Sequence, residues 1–263
     1  MSKFGQSIRI FFSYSWYAYR ALFTWLTPTT YLILKVLSPI TQVLFFTLLG
    51  QATGGDPAYY IIGNSTQLAV TSGIFGVLQV IVTERRMGTL PQLMIVPTSN
   101  AITFYGRSLF LIFDGLTSIA VGFAAGALLF GLDFASVNWF WLIVALLITC
   151  FAVSGLGLTL GVIGLVGTDL NLLLNVALSA FLVICGVNFP IEALPRSIQS
   201  IAHLLPLTHG LMAVRATFAG QITDVPRYIG WEAFIGCGYM ALGYAMFAYF
   251  ERLARKRGTL ELQ

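Results

Sequence analysis

Residues Asn138 to Val166 read NWFWLIVALLITCFAVSGLGLTLGVIGLV, a run that contains no Asp, Glu, Lys, Arg or His. A helix through the hydrocarbon core of a bilayer needs about 20 predominantly apolar residues, and this run exceeds that. A buried helix of a soluble protein would be bounded by polar segments. Here the neighbouring segments are as apolar as the run itself.

The same character extends along the chain. Of 263 residues, 57% are hydrophobic and 9% charged, against roughly 25% charged in an ordinary globular domain. The mean hydropathy is +0.85. So few charges cannot cover a water-soluble surface, whereas lipid accepts an apolar one. The sequence predicts an all-α membrane protein with six transmembrane helices. The spans run from about Tyr31 to Gly50, Tyr60 to Val82, Ile102 to Phe130, Asn138 to Val166, Leu170 to Phe189 and Tyr228 to Phe250. We read residues 1–263 as one membrane domain: an interfacial segment over 1–28, six spans over 31–250 and a basic tail over 251–263.

Phe4, Ile8, Phe11, Phe12, Tyr19, Phe23 and Leu26 recur at helical spacing, interrupted by Arg9 and Arg20. That pattern suits an amphipathic helix lying in the interface, ended by Pro28. Arg20 also argues against a cleavable signal peptide. Lys35, near the start of the first span, is expected to snorkel to the interface. Arg85, Arg86 and Arg107 flank the loop between spans two and three, and Arg252, Arg255, Lys256 and Arg257 close the chain. Arg196, Arg215 and Arg227 fall on the opposite side. By the positive-inside rule both termini face the cytoplasm, which an even number of spans requires. The basic residues form no continuous patch, and no nucleic-acid partner is expected.

Cys150, Cys185 and Cys237 lie in apolar stretches without redox or metal spacing and read as small buried residues. His203 and His209 have no neighbouring acids or cysteines, and no metal site is expected. Gly122 with Gly126, and Gly157 with Gly161, read as close packing within one chain. Asp114 lies inside span three, where an acid costs about 2.5–3.5 kcal/mol. Its expected state is structural, partly hydrated or protonated, the alternative being a proton relay.

Three stretches carry mechanism. Thr83 to Ser99 starts with a charge cluster, and Leu90, Leu93, Met94 and Pro97 then share one helical face. Thr89 can cap that helix with Pro91 in its first turn. It reads either as a short helix docking on a cytoplasmic partner or as an interfacial loop anchored by arginines. Gly186 to Arg215 is too polar to span and too apolar for a free loop, so short re-entrant or surface helices are expected between spans five and six. Finally, Asn64, Gln67 and Thr71, and Asn171, Asn175 and Ser179, form polar stripes on spans two and five. Such stripes either line a water-filled path or hydrogen-bond between helices.

Taken in order, Glu84 to Leu90 followed by Pro97, Phe189 to Pro195, and Leu205 to Thr208 with Leu211 and Arg215 resemble motifs of ABC export permeases of the second type, which handle drugs, lipids and polysaccharides. The resemblance covers nearly the whole chain. It implies that Glu84, Arg85, Arg86, Gly88, Thr89, Leu90 and Pro97 belong to a coupling helix that receives motion from an ATPase. It implies that the stripes Asn64, Gln67, Thr71, Asn171, Asn175 and Ser179 line the translocation path. Phe189, Pro190, Glu192, Pro195, Pro206 and Arg215 fall in its external re-entrant region. The only lysines are Lys3, Lys35 and Lys256, and none ends the Gly-Lys-Ser/Thr loop that holds ATP phosphates. No cofactor is therefore expected in this chain, and Mg-ATP belongs to a partner. The implied assembly has two ATP-binding subunits and two permease chains, a homodimer by expectation, in the bacterial cytoplasmic membrane. An ion-driven carrier or channel, or an intramembrane enzyme, is the competing class. The enzyme would need paired acids, a Ser–His pair or His/Glu metal ligands at membrane depth, and the carrier or channel several buried ionisable residues or broken spans; Asp114 alone is expected.

Overall fold

The computed structural model describes residues 28–76, 100–164 and 170–257, all of whose regular structure is helical. The interfacial segment, the loop from Glu84 to Pro97 and the end of the basic tail lie outside the described residues. Helix α1 (Pro28–Leu32) passes through a π-helical turn, Ile33–Leu37, into α2 (Ser38–Ala52), while α3 (Pro57–Val70) passes into a second π-turn, Thr71–Phe75. Then come α4 (Asn100–Phe130), α5 (Trp139–Gly164), α6 (Leu170–Ile184), a 3-10 turn at Ile191–Ala193, α7 (Arg196–Leu204), α8 (Thr208–Phe218) and α9 (Val225–Arg257).

Local chemistry sets the boundaries. Gly54, at φ +80°, closes α2. Asp56 then caps α3 by accepting from the Ala58 N–H, with Pro57 in the first turn. A turn this short forces α2 and α3 to run antiparallel. Gly131, at φ +70°, ends α4 in the same way, and Asn138 accepts from the Trp141 N–H to begin α5.

Among the described residues, three stretches are long and apolar enough to cross a membrane: Ile33–Ala52, Ile112–Phe130 and Trp139–Ile163. Helix α9 has the length, at 33 residues, but Arg227, Glu232 and its basic end dilute its apolarity. The fifth predicted span is shorter than expected: α6 stops at Ile184, because Gly186 takes φ +78° and turns the chain before Phe189.

Helix α9 packs along α5, and α4 along α3, with α2 covering α3 and α4. Leu68, Ile74, Ile119, Leu142, Val153 and Leu211 lie in the shared core. Gly122 and Gly126 of α4 sit against Ser65, Leu68 and Ile61 of α3, so this pair packs within the chain as its spacing predicted. The buried hydroxyls of Thr66, Thr149, Ser154 and Thr217 donate to the carbonyl four residues earlier, at 2.7–2.8 Å. That leaves them no need of water. Cys150 and Cys185 are buried as expected, but Cys237 is exposed on the described surface.

Helix α8 is wedged between α5, α3 and α9, with Leu211, Ala213, Val214 and Thr217 buried. Its approach to α5 needs Gly210: a Cβ there would fall 2.0 Å from Thr149 Oγ1. At the far end of α8, Phe218 stacks on Phe123 of α4 with centroids 5.6 Å apart and meets Phe134 of the α4–α5 connection edge-on at 5.3 Å. Gly210→Ala should destabilise the purified protein by about 1–3 kcal/mol through overpacking. Thr149→Ala in the same chain should recover most of the loss in thermal unfolding; no recovery would place the strain elsewhere.

Candidate functional site: polar networks within the helical bundle

The first network departs from the expectation for Lys35. Its ammonium turns inward and makes an ion pair with Asp114 of α4. It also donates to Ser118 Oγ at 3.2 Å and to Ser72 Oγ at 3.4 Å. The two side chains are 18% and 5% exposed, so the pair is largely shielded. Lys35 and Ser72 each sit in a π-turn, and the extra residue per turn rotates them off the regular helical face. At 1.5 Å per residue, Lys35, Ser72 and Asp114 all lie roughly 22–26 Å from the helix ends at Ala52, Pro57 and Phe130. Asp114, expected to have a partner, has it in Lys35.

The second network is uncharged. Gln42 Nε2 of α2 donates to Gln67 Oε1 at 2.6 Å and to Asn64 Oδ1 at 3.4 Å. Asn64 Nδ2 donates to Asn188 Oδ1 at 2.9 Å and to the Tyr60 carbonyl at 3.0 Å. The span-two stripe therefore divides: Asn64 and Gln67 are buried in interhelical amide bonds, whereas Thr71 is exposed. On α6, Asn175 and Ser179 are exposed beside Leu172, Val176 and Val183. The side chain of Asn171 lies outside the described residues.

The third network locks one end of the bundle. Helix α8 begins at Thr208 without a side-chain cap, after Leu207 at φ +90°. The missing acceptor comes from α9: Glu232, fully buried, accepts from the Leu207 N–H at 2.6 Å and the Gly210 N–H at 2.9 Å. A carboxylate at a helix N-terminus answers both its free N–H groups and its dipole. Seven residues into α8, Arg215 lies over the Tyr59 ring, 3.6 Å from the centroid. Its Nη2 donates to the Val187 carbonyl at 3.1 Å and the Tyr59 carbonyl at 3.4 Å. Gly63 makes room, since a Cβ there would lie 2.3 Å from the Val187 oxygen. Burial draws the Arg215 pKa down, opposed by Tyr59 and Glu192; arginine's high intrinsic value keeps it charged.

Around this lock, Phe189, Pro190, Glu192 and Pro195 are exposed and Pro206 is buried. Gln199 Nε2 donates to the Leu194 carbonyl at 2.8 Å, tying α7 to the chain before it. His209 bonds the His203 carbonyl at 3.2 Å and stacks on Trp231 at 6.2 Å. Burial lowers the His209 pKa, which favours the neutral ring.

Reasoning from sequence missed Gln42, Tyr59 and Glu232. Asp114 is not the only buried ionisable group, because Glu232 and the shielded Lys35 join it. Glu232 had a legible signal, an acid one turn inside an apolar span. The other two needed the partner helices. Lys35 and Asp114 meet each other, Glu232 meets backbone N–H groups, and Arg215 meets backbone carbonyls and the Tyr59 ring.

The family model described as ABC-2 type transporter matches residues 14–219. No curated protein matches the chain.

Lys35→Met leaves Asp114 buried without its cation and should destabilise the protein by about 3–5 kcal/mol. Lys35→Met with Asp114→Leu should be much milder. Equal losses in the single and double variants, measured by unfolding in detergent, would mean that the pair does not carry the effect.

Proposed function

The chain belongs to the ABC-2 type transporter family, and from that premise we propose that it is the permease half of an ATP-driven exporter for amphiphilic molecules. The family membership makes it a transport subunit of a multi-pass membrane protein, and such permeases generally pair with an ATP-binding subunit. The observation that carries the proposal is this membership in a chain without a Gly-Lys-Ser/Thr phosphate loop. On this proposal the force comes from a Mg-ATP-binding subunit, two copies serving a permease homodimer.

On this reading six spans cross a bacterial cytoplasmic membrane, with both termini inside. Residues Glu84 to Pro97 form the coupling helix, its charged start at Glu84, Arg85 and Arg86 facing the ATPase. The turn between α2 and α3, the α4–α5 connection, α7 and α8 then share the outer side, α8 as a re-entrant helix. The exposed Asn175 and Ser179 on apolar α6, with Thr71 on the α3 side, suit a surface that meets a second copy around a hydrated path. Asn64 and Gln67 serve as supports behind that surface.

The chain should co-purify with a separate ATPase encoded beside it, and Arg86→Ala should uncouple ATP hydrolysis from transport without loss of assembly. Asn175→Cys should react with a membrane-impermeant thiol reagent in at least one nucleotide state. Transport by the reconstituted chain without ATP would overturn the proposal.

A further inference from the structure

Leu207 is the one non-glycine residue with a positive φ among the described residues, at φ +90° and ψ −39°. A leucine keeps that backbone only where its surroundings impose it. Here its side chain is 0% exposed and its carbonyl accepts from the Leu211 N–H at 2.7 Å. Its N–H donates to Glu232 Oε1 at 2.6 Å. Leu207 is also the joint between α7 and α8. Helix α8 is anchored farther along by Arg215 on Tyr59, whereas α7 leaves Ile201 and Leu204 exposed. A change at this joint therefore moves α7 more readily than α8.

The Glu232 carboxylate is used at both oxygens: Oε1 accepts from Leu207, and Oε2 accepts from the Gly210 N–H at 2.9 Å. Two acceptor oxygens, with a charge that strengthens both bonds, belong to the ionised form. A proton removes the charge and makes one oxygen a hydroxyl, which sets a donor against the same N–H groups. Nothing of opposite charge pins the ionised form. Among the described residues no cation lies within 4.0 Å of Glu232. On α8, Arg215 is committed to Tyr59 and Val187, and the His209 ring bonds the His203 carbonyl of α7, with the His203 ring 5.3 Å from its own. Cys185, after α6, senses the carboxylate electrostatically but can add only negative charge. Helix α5 offers Cys150 alone, and residues 115–130 of α4 hold nothing that titrates. On α9 itself Arg227 is exposed and Tyr228 half-buried.

We propose that Glu232 is a proton-binding site, and that the proton it takes up releases Leu207 and frees α7 to swing about the joint. Loss of the bond to Oε1 lifts the restraint on the strained backbone, and the first turn of α8 loses its cap. The closed latch is the charged one, so it opens as pH falls. It needs neither ATP nor a transported molecule; only its placement on the outer side rests on the topology proposed above. Glu232 lies near the start of α9 and the basic residues at its end, farther apart than the roughly 30 Å of a hydrocarbon core. Where α9 spans, the latch and the basic tail therefore sit on opposite faces.

Hydrogen–deuterium exchange read by mass spectrometry follows the latch in the full chain, purified in detergent. After correction for the intrinsic effect of pH, protection over residues 205–212 should fall at least about tenfold from mildly alkaline to mildly acidic pH, the scale of one hydrogen bond to a charged group. Residues 119–127 of α4 should keep their protection. Glu232→Gln puts an amide donor where the protonated acid has its hydroxyl, so residues 205–212 should exchange fast at every pH. Should that variant fail to fold, the chain carrying His203→Gln and His209→Gln decides, because its pH response should match the parent's. No pH response in the parent, a response kept in Glu232→Gln, or one lost with the two histidines would overturn the proposal. In vesicles sorted by the face that carries the basic tail, acid on the opposite face should open the latch. Opening by acid on the tail face alone would leave the latch standing and overturn the proposed topology of α7 and α8.

Discussion

Everything in this bundle depends on one constraint: a polar group inside hydrocarbon must find its partner within the protein. The chain meets that demand at three scales. Single hydroxyls bond back to their own helices, amides bond between helices, and charges are paired or capped. Gln42, Asn64, Gln67 and Asn188 tie α2, α3 and the chain after α6 together. Such bonds are individually modest in a membrane, averaging about 0.6 kcal/mol. Their value lies in orientation, because an amide turned toward lipid would lose its partner and a helix rotated about its axis would lose several at once.

The same constraint explains the two π-turns. A regular α-helix at Lys35 would carry the side chain around by the usual 100° per residue. The wider turn shifts that register and directs Lys35 and Ser72 toward Asp114. A π-turn is less favourable than an α-turn and persists where its surroundings require it. Here the requirement is a largely shielded carboxylate, 5% exposed. Lys35 is long enough to snorkel, but its attraction to Asp114 offsets part of the desolvation cost of both charges.

Much of the architecture was legible in the sequence because hydropathy and turn chemistry are local. The apolar run from Asn138 to Val166 and the short helices after Pro190 both follow from neighbours along the chain. The end of α6 was misplaced, since Val187 and Phe189 continue the apolar run while Gly186 breaks the helix. What stayed hidden depended on partners distant in sequence. Lys35 looked interfacial because its acid is 79 residues away. Glu232 caps a helix that starts 24 residues before it, so no capping pattern near Thr208 could reveal it. The stripe of Asn64, Gln67 and Thr71 has one periodicity, yet the π-turn at Thr71 separates its exposed member from the buried two.

These networks occupy opposite ends of the same helix. Tyr59, in the first turn of α3, carries Arg215 on its ring, while Ser72, in the π-turn that follows α3, touches Lys35. Between them Asn64 and Gln67 fix the rotation of α3. A displacement applied at Gly76 meets the ion pair first. It meets the amides next and the Arg215 lock last. Packed interiors switch between discrete arrangements more readily than they deform. A helix held at three levels by directional bonds must therefore move as a rod or break contacts one level at a time. Rod-like motion would deliver a push at the Lys35 end to Arg215 and the wedge of α8 with little loss, which is the transmission a permease driven from one side of the membrane needs.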